Sequence, residues 1–184
     1  MELSDTMECM KYSGILAIIV AWLFVAGPTF TINGKKNTIS EATKKYSSKI
    51  IISIGLVFGS FLQFLFLLYL NAKFGLNSYS VGSLLYILTN IATVLVAVFT
   101  IQKNPRMHTF LVRFYFIVHP ISLFILGLSI RIILVQTISS LLIVSYAIGA
   151  MFVWQRYKKQ NAYMEEWAFF ILSFWVLFMT FVSM

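Results

Sequence analysis

Cysteine and acidic residues are scarce in this sequence. Its 184 residues include one cysteine, Cys9, which excludes an internal disulfide and a thiolate metal site because each needs at least two thiols. No aspartate follows Asp5, and the three glutamates beyond residue 8 fall between the long apolar runs. A carboxylate-based proton relay across a membrane is therefore not expected, since it needs acidic groups within the membrane.

Charge of either sign is also rare, and apolar residues take its place. Only 11% of residues are charged and 60% are hydrophobic, whereas soluble domains have roughly a quarter charged residues. At roughly 20 residues per crossing, the sequence predicts an all-α, polytopic transmembrane bundle of six helices that forms one integral membrane domain over residues 1–184. The predicted spans are 12–32, 49–70, 79–101, 109–128, 132–154 and 167–183.

The fourth and fifth spans follow each other without an obvious loop. As one helix, residues 109–154 would be roughly 69 Å long at 1.5 Å per residue, over twice the thickness of the hydrocarbon core. A tight turn is therefore predicted between Gly127 and Arg131, where a glycine and a charge occur together.

Basic residues predict the orientation. The first, third and fifth connections contain ten lysines and arginines, against three on the opposite side. The positive-inside rule places these odd-numbered connections in the cytoplasm and both termini outside, in a multi-pass protein of the cell membrane. The net charge of +8 is expected to engage membrane lipids with anionic headgroups rather than nucleic acid.

Topology brings several ionisable residues to one side of the membrane. Glu41, His108 and Glu166 are separated by even numbers of crossings, so acid/base catalysis by His108 with the two glutamates is one hypothesis. The alternative is that Glu41 completes a helix-capping box, Glu166 stabilises the start of the last helix, and His108 is a solvated loop residue. Enzyme signature motifs are absent, which favours a non-catalytic protein, and no metal ion or cofactor is predicted.

The fourth span contains two ionisable residues. Arg113 lies about one turn inside it, so its side chain can reach the interface and, with Arg106, bind lipid headgroups. His119 is expected near the midplane, where it either packs against a carbonyl released by Pro120 or serves a ligand or proton path.

Small and amide residues predict contacts between the helices. Gly55 and Gly59 form a small-xxx-small surface, for internal packing or alternatively for a homo-oligomer. The amides of Gln63, Asn90 and Gln136 are predicted to make interhelical hydrogen bonds.

Several short motifs resemble those of the bacterial and archaeal membrane proteins of domain-of-unknown-function family 998. They are Tyr12-Ser-Gly-Ile-Leu-Ala17, Asn37-Thr-Ile-Ser-Glu41, His108-Thr109, Pro120-Ile-Ser-Leu and Gly127. The chain is also distantly similar to the Frag/DRAM/Sfk membrane proteins. This resemblance implies a six-helix bundle without an established enzymatic activity. The Frag/DRAM/Sfk proteins, which are eukaryotic, suggest a function that acts on membrane lipids.

The sequence therefore favours a lipid-binding or membrane-organising protein. A lipid-modifying enzyme that uses His108 with Glu41 and Glu166 is one alternative. A small transporter with His119 on its path is the other.

Overall fold

The structure, a computed structural model, contains the six predicted helices. It describes residues 3–27, 29, 46–157 and 162–183. The helices are α1 (Leu3–Val20, continued by a π-helical segment Ala21–Ala26), α2 (Tyr46–Phe74), α3 (Val81–Val98), α4 (Pro105–Ser129), α5 (Ile133–Tyr157) and α6 (Ala162–Phe181). All six are long and apolar enough to cross a membrane, which confirms the all-α polytopic fold. The predicted capping box that includes Glu41 lies outside the described residues.

The helices form a closed ring in chain order. Each helix packs against the next, and α1 also packs against α6. At one end, the Lys73 ammonium near the end of α2 donates a hydrogen bond to the Val182 carbonyl just after α6, at 2.6 Å. We call this end the even face, because it carries the second and fourth connections, and the opposite end the odd face.

Inward-facing side chains fill the ring, while outward-facing ones are apolar as well. Phe66, Tyr86, Leu126 and Trp175 are fully buried and belong to the largest core cluster. The Trp175 indole N–H donates to the Ser139 hydroxyl at 3.0 Å and joins α6 to α5. Because lipid chains are as apolar as the outer side chains, such close packing and interhelical hydrogen bonds hold the ring together.

The predicted turn between the fourth and fifth spans is confirmed. α4 ends at Ser129 and α5 begins at Ile133. The backbone N–H of Ile130 donates to the Gly127 carbonyl at 3.3 Å. Gly127 also permits the two helices to approach closely, because a Cβ at this position would overlap the Ser139 side chain.

Four helices begin earlier than their apolar runs suggested, namely α1 at Leu3, α2 at Tyr46, α4 at Pro105 and α6 at Ala162. α4 begins at Pro105, and the Asn104 side chain caps it by accepting the Met107 N–H at 3.1 Å. α6 begins at Ala162, so the prediction that Glu165 and Glu166 lie in a connection is wrong. The physical reason is that carboxylates are favourable near the positive end of the helix dipole.

Candidate intramembrane binding site

A cavity lies inside the ring between α1, α2, α3, α4 and α6, and we call it the central cavity. The cavity is small, with a volume of about 60 Å³. Most of its lining is small or apolar. Its polar lining residues are Ser60, Gln63, Thr93 and Tyr115.

The α1 wall of the central cavity is π-helical. Ala21 and Val25 of the segment Ala21–Ala26 line the cavity. Isolated π-helical turns are rare and occur frequently at functional sites. The Trp22 indole N–H in the same segment donates to the Ser173 hydroxyl of α6 at 3.0 Å, which fixes this wall to the neighbouring helix.

The glycines of α2 allow the α1 wall of the cavity to pack closely against α2. A Cβ at Gly55 would lie 2.6 Å from the Cβ of Phe24, whereas a Cβ at Gly59 would have its nearest neighbour, on Val20, at 3.7 Å. The surface predicted for helix contact is thus used by α1 of the same chain. Association of two copies through these glycines would have to displace α1, and the homo-oligomer stays a prediction.

Two polar groups in the lining have no hydrogen-bond partner in the described part of the chain. The hydroxyls of Ser60 and Thr93 donate to carbonyls of their own helices, at 2.7 and 2.9 Å. Among the residues that the structure describes, neither the Gln63 amide nor the Tyr115 hydroxyl makes a hydrogen bond. Gln63 lies near the middle of the candidate span Lys49–Phe74. An amide without a partner in an apolar environment costs free energy, so this position favours a bound polar group.

His119 lies directly behind Tyr115. The two rings stack with centroids 4.8 Å apart, and the Tyr86 ring is 5.1 Å from His119. The His119 Nδ1 atom is 2.8 Å from the Thr89 hydroxyl oxygen, and that hydroxyl donates its only proton to the Tyr86 carbonyl. His119 therefore donates from Nδ1, which leaves Nε2 as an acceptor.

The carbonyl released by Pro120 has a different partner from the one expected. It belongs to Phe116, and the Tyr146 hydroxyl of α5 donates to it at 2.6 Å. His119 instead bonds to α3, through Thr89. The histidine is thereby held by packing and one hydrogen bond, and a transport role for it stays a prediction.

Two further polar atoms, both on α3, are buried. The Tyr86 hydroxyl and the Asn90 side-chain oxygen have no hydrogen-bond partner among the described residues. The Asn90 amide donates within its own helix, to the Tyr86 carbonyl at 3.0 Å. The Gln136 amide does bridge two helices, donating to the Leu128 carbonyl at 3.1 Å. Of the three predicted interhelical amides, the described contacts therefore support Gln136.

His108 lies in α4 and is fully buried where α3 and α4 meet, so the alternative that it is a solvated loop residue is wrong. Its Nδ1 atom donates to the Phe99 carbonyl at 2.8 Å, just after the end of α3. The final carbonyls of a helix lack intrahelical partners, so this bond caps α3. Glu166 lies in α6, while Glu41 is outside the described residues. The hypothesis of a catalytic group of His108, Glu41 and Glu166 therefore stays a prediction.

The described residues contain no group of three or more histidine, cysteine or acidic side chains that could hold a metal ion. Arg106 and Arg113 are exposed on α4 towards the odd face. Arg113 shares an outward stripe with Phe110 and Ile117, which are 61% and 60% exposed. Its side chain therefore projects from a surface that faces lipid, at a depth from which it can extend to the headgroups.

Comparison with known proteins identified no similar protein. No family model, no curated protein and no solved structure matches the chain. The ring of six apolar helices defines a polytopic α-helical membrane protein. The resemblance to family 998 stays a prediction.

Proposed function

We propose that the protein binds a neutral amphipathic lipid, taken from the bilayer, in the central cavity. The observation that carries this proposal is the pair of polar groups in the lining, Gln63 and Tyr115, that have no hydrogen-bond partner among the described residues. The Gln63 amide both donates and accepts, and the Tyr115 hydroxyl does the same. A lipid hydroxyl or ester carbonyl would complete their hydrogen bonds, and the rest of the molecule would lie against the apolar walls.

The chemistry of the lining supports a neutral ligand. The part of the cavity wall that the structure describes contains no lysine, arginine, aspartate, glutamate or histidine. A charged ligand group would be buried there without a counter-charge, at a cost of several kcal/mol.

Arg106 and Arg113 have a second role in this proposal. They hold the odd end of α4 against anionic headgroups of the surrounding bilayer, and this end faces the cytoplasm. The basic connections support this orientation by the positive-inside rule. Lipid contact at the surface and lipid binding in the cavity are separate, because these arginines do not line the cavity.

Binding of a short-chain diacylglycerol tests the proposal. Purified full-length protein in a neutral detergent is titrated with dioctanoylglycerol while tryptophan fluorescence is recorded. Gln63→Leu and Tyr115→Phe each remove one ligand hydrogen bond, worth roughly 1 kcal/mol, and are expected to weaken binding about fivefold. Gln136→Leu is the matched control, since it removes an amide outside the cavity. Equal affinity in all four proteins would overturn the proposal.

A further inference from the structure

Two lysines meet on the even face, away from the central cavity. Lys73 is near the end of α2 and donates to the Val182 carbonyl at 2.6 Å. Lys11 of α1 lies with its ammonium 6.0 Å from the centre of the Phe181 ring. Because Phe181 and Val182 are consecutive residues, these contacts bring the two positive charges near each other. Three helices thus bring two like charges together beside the end of α6.

Aromatic rings hold both ammonium groups in place. The Lys11 ammonium is 5.4 Å from the centre of the Tyr12 ring. The Lys73 ammonium is 5.4 Å from the Tyr69 ring centre and 5.0 Å from that of Phe74. Such cation–π contacts contribute roughly 0.5–1 kcal/mol each at exposed sites. They orient the cations but do not neutralise them, so the repulsion between the lysines persists.

No acidic side chain whose placement the structure describes forms an ion pair with either lysine. Glu8 is one turn from Lys11 and is exposed, yet it forms no ion pair with a described residue. Each ammonium has three N–H donors, and Lys73 uses one of them on Val182. The remaining donors and the net charge of the pair suit an anion with several oxygen atoms.

We propose that Lys11 and Lys73 form a binding site for a phosphate group. Both side chains are half-buried. Lys73 lies in the last turn of its helix, and Lys11 lies about two turns inside α1. Long lysine side chains can extend from such positions towards the phospholipid headgroups. The same chemistry would bind a phosphate group from an anionic phospholipid or free phosphate. This site is independent of the central cavity, because neither lysine lines it.

Binding of two probes tests this site. Purified full-length protein in neutral detergent is titrated separately with dioctanoylphosphatidylglycerol and with inorganic phosphate, and affinity is measured by microscale thermophoresis. Lys11→Gln and Lys73→Gln are each expected to weaken binding about tenfold, and Lys11→Arg and Lys73→Arg to retain it. Lys103→Gln is the matched control, because it removes an exposed cation on the opposite, odd face.

The two probes also identify the source of the phosphate. Lysine-dependent binding of phosphatidylglycerol alone supports a lipid headgroup, and lysine-dependent binding of inorganic phosphate supports a free anion. The arginine variants show whether a loss reflects charge or folding, since they restore charge at the same positions. Absence of binding by both probes, or affinities that the lysine-to-glutamine changes leave unaltered, would overturn the proposal.

Discussion

Removal of the Tyr146 hydroxyl should destabilise the bundle, because the Phe116 carbonyl would lose its hydrogen-bond donor. Pro120 has no N–H, so the Phe116 carbonyl four residues earlier lacks its helical partner. Tyr146 donates to that carbonyl at 2.6 Å and is 7% exposed. In Tyr146→Phe the ring remains, while the carbonyl loses this donor within the membrane. Interhelical hydrogen bonds in membrane proteins contribute about 0.6 kcal/mol on average and at most about 1.7. The absence of a helical partner places the expected loss near the upper value, at about 1.5 kcal/mol.

A double-mutant cycle isolates this effect. Pro120→Ala restores an N–H that can donate to the Phe116 carbonyl, so Tyr146→Phe should cost only about 0.5 kcal/mol in that background. The free energy of unfolding is measured in mixed micelles at increasing denaturing detergent. The predicted coupling between the two changes is thus about 1 kcal/mol. Equal costs of Tyr146→Phe in both backgrounds would refute the role assigned to the freed carbonyl.

Three further changes test other parts of the structure. Gly55→Ala should lower the free energy of unfolding by about 1–3 kcal/mol, because the new Cβ would lie 2.6 Å from the Cβ of Phe24 on α1. Gly59→Ala should leave the free energy of unfolding nearly unchanged, and equal effects of the two changes would contradict this packing. His108→Ala should lower the thermal midpoint, because it removes the cap on the Phe99 carbonyl, and an unchanged midpoint in a thermal scan would count against that role. Arg113→Gln should reduce the amount of phosphatidylglycerol that copurifies with the protein by about twofold, as measured by quantitative lipid mass spectrometry. The thermal midpoint of unfolding should not change. An undiminished amount of lipid would exclude the proposed headgroup contact of Arg113.

The fold could be predicted from the sequence because hydropathy alone identifies membrane spans. Long apolar runs require helices in a bilayer, where every backbone group must be hydrogen-bonded internally. The turn after Gly127 could be predicted because residues 109–154 would form a helix too long for one crossing of the membrane. The start of α6 could not be predicted from hydropathy, because Glu165 and Glu166 lower the local hydropathy although they are favourable in the first turns of a helix.

The central cavity could not be predicted, because it is formed by helices that are distant in sequence. Gln63 and Tyr115 lie on α2 and α4, and no sequence spacing relates them. Gln63 was recognisable as a polar residue within a span, but its lack of a hydrogen-bond partner is a tertiary property. The place of His119 within the fourth helix followed from the sequence, whereas its bond to Thr89 depends on how α3 and α4 pack.

The measurement that most directly tests lipid binding in the central cavity is mapping of a photoreactive diacylglycerol. The probe carries a diazirine in one acyl chain and is crosslinked to the protein in nanodiscs, and the labelled residues are identified by mass spectrometry. Labelling is predicted on cavity-lining residues of α2 and α4, and Gly59→Leu should abolish it by filling the cavity. Labels confined to outward-facing residues, unchanged by Gly59→Leu, would contradict the proposed function.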